Sequence, residues 1–405
     1  MEKVIFHIDV NNAFLSWSAV DLLKKGYSID IRMIPSIIGG DESKRHGIVL
    51  AKSPVAKEYG IKTAETIYMA KKKCPNLKVY PPNYAFYTKM SQTLFSYLQQ
   101  FSPNMEIFSI DECFLDMSNT SYIYKDLEAL AYEMKDYIKN NFGFTVNIGI
   151  GNNKLCAKMA SDFLKPDRVH TLYKEEVETK MWPLDVGDLF MVGKSSSKKL
   201  HELGINTIRD LAHADVKRLE KYFKKNALVM VQHANGIDLS EVGMGKYQSK
   251  NKCISISKTL STDTVDIEFI KKVLLQEAEE VGRSLRRQKS YAKTIAITIR
   301  NKDFFDYSHQ KKLKNQINSS KQIYIEAVDL FLKTWKKDYV RNIGIRLSDL
   351  TESNEYQISL FEQSEKIETK QVDEAIDAIK DKYGFDSIIP ASLLTTSVEK
   401  GKRTY

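Results

Sequence analysis

The chain has 405 residues, 42% of them hydrophobic, which is enough apolar material for two to four domains with buried cores. No apolar run approaches the roughly 18 residues of a membrane span and no signal peptide precedes the first predicted strand, so we expect a cytoplasmic protein with no membrane partner. The cysteines lack CxxC spacing, which argues against zinc and disulfides and fits a reducing compartment. They are Cys74, Cys113, Cys156 and Cys253.

The formal net charge of +9 is concentrated in one segment. Residues 245–350 hold 22 Lys and Arg against 12 Asp and Glu, a net of +10 in that stretch alone. Because phosphate contacts dominate nucleic-acid affinity, a segment this basic favours a polyanion as partner. The alternative is a lysine-rich surface that is simply solvated.

Strands and helices alternate along the N-terminal part of the chain. The spacing of apolar residues predicts a buried strand at 2–10 and a helix at 13–24 that ends at Gly26. Further predicted elements are a strand at 48–52, a helix at 84–101, a strand–turn–strand at 105–117, a helix at 125–140, a strand at 144–150 and a helix from Asn152-Asn153 to Leu164. This alternation predicts an α+β, palm-like unit.

Residues 184–235 are predicted to be helical throughout. A glycine-bearing turn between two short helices is the pattern of a helix-hairpin-helix, whose backbone N–H groups bind a DNA phosphate. An ordinary αα-hairpin explains the same pattern. The glycine-rich, polar segment 236–252 that follows is the clearest linker in the chain.

The basic segment predicts a β-α-β-β-α-β unit with both helices on one face of the sheet. Its predicted strands are 253–257, 293–300, 307–316 and 341–348, and its helices are 267–287 and 321–335. The strand residues predicted to face inward are Ile295, Ile297, Ile299, Ile343, Ile345 and Leu347, and the second helix is predicted to bury Tyr324, Val328, Phe331 and Trp335. The other face of the sheet, which no helix covers, is the open face, and we expect it to lie along a nucleic-acid backbone.

Three acidic residues stand inside otherwise apolar runs. Asp9 follows the first strand, and Asp111-Glu112 interrupts a second apolar stretch. Buried carboxylates repel one another, and a divalent cation removes that penalty with the oxygen ligands that Mg²⁺ prefers. The alternative is that Glu112 faces solvent and Asp111 caps a turn, because neighbouring side chains of a strand point to opposite faces.

The segments HIDVNNAF and SIDECFLD resemble the two metal-binding motifs of the Y-family, or translesion, DNA polymerases, in the branch of bacterial mutagenesis and UV-damage-repair proteins. Supporting matches follow in order at AKEYGIK (56–62), NIGIGNNK (147–154), KMASD (158–162) leading to Lys165-Pro166, and LGINTIRDL (203–211). The similarity covers roughly residues 1–350.

The resemblance implies a multidomain α+β, right-hand polymerase. Its implied function is template-directed, low-fidelity translesion synthesis past damaged bases by two-metal nucleotidyl transfer, in DNA repair and SOS-type mutagenesis. It implies a palm at 1–10 and 80–167, small fingers at 11–79, a helical thumb at 168–235, the linker 236–252, a DNA-binding little finger at 253–350 and a tail at 351–405. The implied partners are primer-template DNA and dNTPs, and an accessory protein is possible.

The resemblance also implies site residues. Asp9, Asp111, Glu112 and the carbonyl of Val10 are expected to hold two Mg²⁺ ions, with the nucleotide bound by Asn11, Asn12, Ala13, Phe14, Lys57 and Lys165. Phe14 would exclude a ribose 2′-hydroxyl, and the alternative is that Phe14 is an ordinary core residue. The roles of Lys57 and Lys165 rest on the resemblance alone, because the alternative for each is a solvated surface charge. The predicted DNA-binding residues are Lys258, Arg286, Arg287, Lys293, Arg300 and Arg346.

The chain departs from the family pattern at several positions. Pro54 stands where many relatives have a phosphate-contacting tyrosine, and Lys57 stands where others have arginine, which removes bidentate geometry. Met191 and Ser195 interrupt the usual thumb hairpin, which weakens the expectation that this turn contacts DNA.

After Leu350 a polar spacer leads to the peptide 357–361. Its residues Gln357, Ile358, Leu360 and Phe361 resemble the short motif by which bacterial polymerases dock on the sliding clamp; a tail segment packed on the body is the alternative. Val372, Ile376, Ile379 and Tyr383 then predict an amphipathic helix.

Two other functions remain open at this point. A different palm-type transferase, such as a nucleotide cyclase, uses similar acids but needs neither a thumb nor a basic second domain. A non-catalytic DNA- and clamp-binding accessory factor needs no acidic triad.

Overall fold

The computed structural model describes residues 3–41, 47–124, 126–243, 252–352 and 363–393. The chain forms two compact units that divide between residues 247 and 248, inside the glycine-rich segment 236–252. Among the described residues, every helix is too short or too polar to span a bilayer.

The first unit contains three groups of elements. In chain order they are β1 (Ile5–Val10), α1 (Ala13–Lys24), β2 (Ser36–Gly39), β3 (Val49–Lys52), α2 (Pro54–Glu58), α3 (Ile67–Lys73), β4 (Lys78–Tyr80), α4 (Tyr84–Leu98), β5 (Met105–Ile107), β6 (Glu112–Asp116), α5 (Leu127–Phe142), β7 (Val146–Gly151), α6 (Lys154–Asp162), β8 (Val169–Leu172), α7 (Lys194–Glu202), α8 (Ile208–Ala212), α9 (Val216–Phe223) and α10 (Asn226–Ala234).

The central sheet of this unit has the strand order β5-β6-β1-β7-β8. Strand β1 lies in the middle, antiparallel to both neighbours, and all six of its residues are buried. Phe6, Ile8 and Val10 pack into a large apolar cluster with α4 and α5, so the intervening residues, including His7 and Asp9, point to the other face. The pleat of one strand therefore separates the core from the acidic residue.

Helix α6 covers that second face and approaches β7 very closely. A Cβ atom on Gly149 would lie 2.0 Å from the carbonyl oxygen of Ala157, and one on Gly151 would lie 2.7 Å from the Ala157 nitrogen. Because no side chain larger than glycine fits, the NIGIG sequence allows α6 to lie directly on the sheet. At the predicted start of this helix, the Asn153 side-chain oxygen caps it by accepting a 2.8 Å hydrogen bond from the Cys156 N–H.

The remaining elements of the first unit form two smaller groups. A three-stranded sheet of order β3-β2-β4 packs with α2 and α3, and helices α7 to α10 surround a separate apolar cluster. Strand β8 extends the central sheet beyond residue 167, where the predicted palm ended.

The second unit has the predicted β-α-β-β-α-β order followed by one more helix. Its elements are β9 (Cys253–Thr264), α11 (Ile267–Arg287), β10 (Tyr291–Asn301), β11 (Asp306–Ile317), α12 (Ser320–Thr334), β12 (Val340–Thr351) and α13 (Gln363–Tyr383). The sheet is antiparallel, with the order β11-β10-β12-β9. Strand β9 is seven residues longer than predicted, because the polar residues after Ser257 also pair with β12.

The inward faces of this unit largely match the sequence pattern. The predicted isoleucines of β10 and β12 are fully or almost fully buried under α11 and α12. The predicted face of α12 is confirmed in part, since Phe331 is fully buried and Tyr324, Val328 and Trp335 are partly buried against the same core. The prediction missed Ile323, Ala327 and Leu330, which are also buried.

Helix α13 lies at the predicted place, but its packed face is rotated by about one residue from the predicted one, with Ile376 half-buried at the edge. Val372, Ile379 and Tyr383 of its apolar stripe are exposed, whereas Asp373 and Lys380 are buried. The charged face contacts α11, whose arginines supply partners. The amphipathic pattern predicted the wrong packing face for this helix, because the pattern contains no information about complementary charges on a distant helix.

Candidate active site

Two of the three predicted acids meet at one end of the central sheet. Asp9 of β1 and Glu112 of β6 are directly opposite each other in the antiparallel register, so both side chains lie on the face covered by α6. The Val10 N–H donates to the Asp111 carbonyl over 3.1 Å, which joins the end of β1 to the residue before β6. Asp9 is buried and Glu112 is half-buried.

Two lysines neutralise these carboxylates. Lys165 donates to Asp9 Oδ2 and lies 2.8 Å from Asp162 Oδ1. The Nζ atom of Lys158, on α6, lies 3.5 Å from Glu112 Oε2, 3.9 Å from Asp9 Oδ2 and 3.3 Å from Asp162 Oδ2. Sequence reasoning placed Lys165 here but gave no role to Lys158 or Asp162. Their i, i+4 spacing on one helix face was the signal that could have found them.

His7 lies beneath the acids and was also missed. It is fully buried; its Nδ1 lies 2.8 Å from Ser161 Oγ and its Nε2 lies 3.5 Å from Glu112 Oε2. Burial lowers the pKa of His7 despite the nearby carboxylates. His7 is two positions before Asp9 in an apolar strand, so the two side chains point to the same face. This alternation could have identified His7 from the sequence.

Burial affects the two acids differently. Burial raises the pKa of Asp9, although the charges of Lys165 and Lys158 oppose the shift. Burial also acts to raise the pKa of Glu112, but the hydrogen bond with His7 and the charge of Lys158 outweigh it, and the pKa is lowered. Glu112 is therefore held as an anion, while Asp9 is the carboxylate that would gain most from a further cation.

Asp111 does not join the other two acids. Ser109 Oγ donates to its Oδ1 over 2.5 Å, and the Asp111 N–H donates back to that hydroxyl over 3.2 Å. Within the described part of the chain, no three His, Cys, Asp or Glu side chains are grouped closely enough to hold a metal ion. The turn contact matches the alternative for Asp111, whereas Glu112 faces Asp9 as the metal-site prediction required.

The donor set at this end of the sheet is chemically suited to a divalent cation. The carboxylates of Asp9 and Glu112 lie on one face of the sheet, and burial raises the pKa of Asp9. The carbonyl of Val10 is next in the chain. Hard divalent ions prefer such oxygens. Asp9, Glu112 and the Val10 carbonyl therefore fit a divalent cation, whereas Asp111 is bonded to Ser109.

The segment after Asp9 turns sharply into α1. Asn12 adopts a left-handed conformation with φ of 51° and donates to the Lys52 carbonyl over 2.7 Å. Asn11 is buried and donates to Asn147 Oδ1 over 3.0 Å, and Ala13 is buried at the start of the helix. This turn places Phe14 near the acids in sequence and at the N-terminal end of α1.

The Phe14 ring is held by other aromatic rings. It stacks on Tyr87 with centroids 4.9 Å apart and planes at 11°, and it meets Tyr84 edge-on at 6.1 Å. Phe14 is half-buried, so one part of the ring is supported by the core while another remains accessible. This fits both a core residue and a fixed steric barrier.

Lys57 lies exposed on the short helix α2. Ser53 caps this helix by accepting from the Ala56 N–H, and Pro54 occupies its first position, where a missing N–H costs nothing. The departure at Pro54 therefore has a local structural reason. In the thumb segment, Met191 has φ of 73° and is exposed, which makes its turn irregular as the sequence indicated.

Three of the predicted DNA-binding residues do not lie on the open face of the second sheet. Lys258 is paired with the inward-facing Ile343, and its Nζ donates to Gln276 of α11 over 3.1 Å. Arg286 and Arg287 lie on α11 itself, against α13. The expectation that they share the open face therefore fails, because the packing of the unit sets strand direction and helix face, while a DNA-binding role for these three stays a prediction.

The other three residues lie in different settings. Arg346 is exposed and in register with Ala296 and Ser255 on the open face, and Arg300 is exposed on the same face in a bidentate pair with Asp306. Lys293 is half-buried beside an irregularity between β10 and β11. The predicted clamp-binding residues 357, 358, 360 and 361 lie outside the described residues.

Comparisons with known proteins agree with this arrangement. The impB/mucB/samB family profile matches residues 8–162, its C-terminal domain matches 251–360, and its helix-hairpin-helix motif matches 174–205. DNA polymerase IV of Clostridium acetobutylicum is 48% identical over 99% of this chain and 100% of its own length. DNA polymerase IV 1 of Bacillus subtilis is 34% identical over 99% and 96%.

Solved structures show the same fold. A Y-family DNA polymerase chimera of Dbh and Dpo4 superposes with a TM-score of 0.75 at 24% identity, over 86% of this chain and 100% of that one. DinB from Sulfolobus solfataricus gives 0.54 at 25% identity, over 85% and 98%. The predicted right-hand polymerase fold is confirmed.

The sequence and the structure together define a palm-type polymerase. The chain belongs to the impB/mucB/samB family of Y-family translesion DNA polymerases. Membership of this family implies a divalent metal cofactor.

Proposed function

We propose that this DNA-directed DNA polymerase performs translesion synthesis with two Mg²⁺ ions held by Asp9, Asp111, Glu112 and the Val10 carbonyl. The observation that carries the proposal is the direct cross-strand pairing of Asp9 and Glu112 on the face covered by α6. When bound, such ions neutralise the triphosphate and activate the primer 3′-hydroxyl. The substrates are primer-template DNA and dNTPs.

The two lysines of the site suit a triphosphate substrate. Lys165 pairs with Asp9 and Asp162, and its side chain is 37% exposed, so its ammonium group can exchange a carboxylate for a phosphate oxygen. Lys158 is buried and keeps positive charge between Asp9 and Glu112 before substrate arrives. Lys57 is exposed on α2 and is proposed to bind the same phosphates.

Phe14 is proposed to select deoxyribose. Its stacking on Tyr87 and its edge contact with Tyr84 fix the ring, so it cannot move aside at low cost. A ring held in place next to the sugar would overlap a 2′-hydroxyl but not a 2′-hydrogen. Asn11, Asn12 and Ala13 form the turn that positions it.

The open face of the second sheet is proposed to bind the DNA backbone. Register pairs place small and hydroxyl side chains in rows on this face, with Arg346 among them. Gly344 keeps one row flat, because a Cβ there would lie 2.6 Å from the Ile256 carbonyl oxygen. A flat face with hydroxyl groups and an arginine can follow phosphates without reading bases. The peptide 357–361 is proposed to dock on the sliding clamp.

Primer extension tests the proposed function directly. Purified chain with primed template, dNTPs and Mg²⁺ should extend the primer on undamaged template and on a set of damaged templates. Chelation should stop the reaction and restored Mg²⁺ should recover it. A chain that binds the primed template but incorporates no nucleotide at any Mg²⁺ concentration would instead be a DNA-binding accessory factor.

A further inference from the structure

The hairpin that joins β10 and β11 exposes two adjacent phenylalanines. Phe304 is 63% exposed and Phe305 is 76% exposed, and Tyr339 from the loop before β12 is 48% exposed. Single exposed apolar side chains are common, but neighbouring aromatic rings on one hairpin mark a contact surface. We call the residues Lys302, Phe304, Phe305, Lys336, Tyr339 and Arg341 the tip cluster.

The hairpin holds these rings in a fixed and strained conformation. Phe304 has φ of 64°, a left-handed conformation that a bulky residue rarely adopts. The Asn301 side-chain oxygen accepts from the N–H groups of Asp303 at 3.0 Å and Phe305 at 2.9 Å. These bonds stabilise the strained turn, so the two rings are displayed without further ordering.

The same asparagine ties the hairpin to the neighbouring loop. Its side-chain nitrogen donates to Asp338 Oδ2 over 3.1 Å, and the Tyr307 hydroxyl donates to the other oxygen over 2.8 Å. The Trp335 indole N–H donates to the Asp338 carbonyl over 3.0 Å. Phe305 and Tyr339 are therefore parts of one rigid surface, which reduces the entropy cost of binding.

Cations lie against the aromatic rings of this surface. The Arg341 guanidinium is 4.4 Å from the Phe304 ring centre, and Lys302 Nζ is 5.5 Å from that of Tyr339. Lys336 Nζ is 4.8 Å from the Tyr307 ring. Basic groups interleaved with aromatic rings match the alternation of phosphates and bases in a single strand.

Most acidic residues around the tip cluster form hydrogen bonds or ion pairs with neighbouring residues of the same unit. Asp306 forms the bidentate pair with Arg300, and Asp338 holds Asn301 and Tyr307. Asp263 lies 3.2 Å from Arg341. Lys302, Lys336 and Lys337 are exposed, and of the two exposed acids at this hairpin, Asp303 and Asp306, the second is paired with Arg300. The excess of exposed lysines favours an anionic partner.

The tip cluster is also continuous with the open face of the sheet. Arg300 is the residue before Asn301, and its side chain lies on that face in register with Asn342. In a duplex the base faces are already stacked on one another, so only an unpaired base offers a face to Phe305. A strand leaving the proposed backbone-binding face would meet these rings where its bases become single-stranded.

We propose that the tip cluster binds unpaired nucleotides of a single-stranded DNA segment, with bases stacked on Phe305 and Tyr339 and phosphates near Lys302 and Lys336. This proposal rests on the proposed DNA-binding role of the open face and adds a second, single-strand subsite to it. The partner is recognised without sequence preference, because every base has a stacking face.

The test uses the full chain, a labelled deoxythymidine oligonucleotide and a duplex of the same length, titrated by fluorescence anisotropy without dNTPs or metal. Phe305→Ser should weaken binding of the single strand about five-fold or more, since one stacked base is worth about 1 to 3 kcal/mol. Duplex binding should stay within about two-fold of the unaltered chain, because the backbone-binding face is intact. Phe305→Trp should restore single-strand affinity.

Tyr122→Ser is the matched control, because Tyr122 is 79% exposed in the first unit. It should bind both oligonucleotides like the unaltered chain. Unchanged single-strand affinity in Phe305→Ser, or equal losses for single strand and duplex, would overturn the proposal, and the first result would direct attention to a protein partner. Primer extension by the unaltered chain is scored separately, so failure of polymerase activity and failure of the tip cluster are distinguishable.

Discussion

The two units use buried ion pairs in different ways. In the first unit, the Lys158 ammonium lies 3.3 to 3.9 Å from three carboxylates and forms no close pair with any one of them. In the second unit, Arg286 holds Asp377 through two bonds of 2.6 and 2.9 Å. The loose cluster can accept a new ion or exchange a partner, whereas the tight pair fixes one helix on another.

This difference teaches that charge content does not reveal the role of an ion pair. Both clusters consist of basic residues on a helix facing acids from another element. Geometry separates Lys158 from Arg286, because their side chains are about equally enclosed, at 9% and 11% exposure. The first cluster is accessible through Lys165, whose side chain is 37% exposed. The accessible cluster is suited to chemistry and the enclosed one to stability.

The strongest test of the loose cluster is Glu112→Gln. The amide keeps the size of the side chain but removes the negative charge that a divalent ion needs, so primer extension should fall at least about 100-fold. The melting temperature should change little, because Glu112 is half-buried and its neighbours remain. Glu133→Gln, an exposed change on α5, should extend primers normally; similar rates for both variants would remove Glu112 from the site.

Phe14→Ala tests whether the Phe14 ring, which stacks on Tyr87, controls sugar choice. Removing the ring opens the space occupied over Tyr87, so incorporation of ribonucleotides relative to deoxyribonucleotides should rise on the order of 10- to 100-fold. Single-nucleotide insertion kinetics with matched dNTP and rNTP measure the ratio. Phe95→Ala, a core phenylalanine on α4, serves as control for general loosening. An unchanged ratio in Phe14→Ala would leave the ring with a core role alone.

Arg286→Ala tests the tight pair. It leaves Asp377 and Asp373 without their shared cation, so the free energy of unfolding of the second unit should fall by about 2 kcal/mol. Arg287→Ala is the matched control, because Arg287 and Asp381 are both more than half exposed and solvent screens their pair, so the loss of stability should be clearly smaller. Urea denaturation followed by circular dichroism compares the two. Equal losses of unfolding free energy in the two variants would mean that burying the Arg286 ion pair does not increase its contribution to stability.

The clamp interaction can be separated from the docked helix. A truncation after Leu350 would also remove α13, so the substitutions Leu360→Ala and Phe361→Ala together are the cleaner change. Stimulation of primer extension by the sliding clamp should fall on the order of 10-fold, while basal extension is unchanged. Ser364→Ala is a nearby control. Full stimulation of the double variant would show that the clamp docks elsewhere.

The smallest expected effect separates the two faces of the second sheet. Arg346→Ala removes one proposed phosphate contact from the open face, so duplex affinity should fall a few-fold and the salt dependence should drop by roughly 0.9 in its logarithmic slope. Lys258→Ala changes a lysine that faces α11 and should leave DNA affinity unaltered. If Lys258→Ala weakens binding as much as Arg346→Ala, the assignment of the faces is wrong.

Local pattern predicted much of the fold. Helix α11 was predicted with the bounds it has, because Ile270, Val273 and Ala278 repeat with the period of one helix face. The order of strands and helices in the second unit followed in the same way. Asp9 and Glu112 were identified because charge inside an apolar strand has few explanations, and that argument needs no tertiary structure.

Other features depended on contacts between distant parts of the chain. Arg286 and Asp377 are 91 residues apart, and no periodicity in either helix indicates that the two pair. Asp111 bonds to Ser109, His7 lies beneath Glu112, and α13 buries its charged face. Each outcome depends on which surfaces pack together and what desolvation costs there. The sequence by itself determined the elements and the acids, and the tertiary structure decided which charges meet.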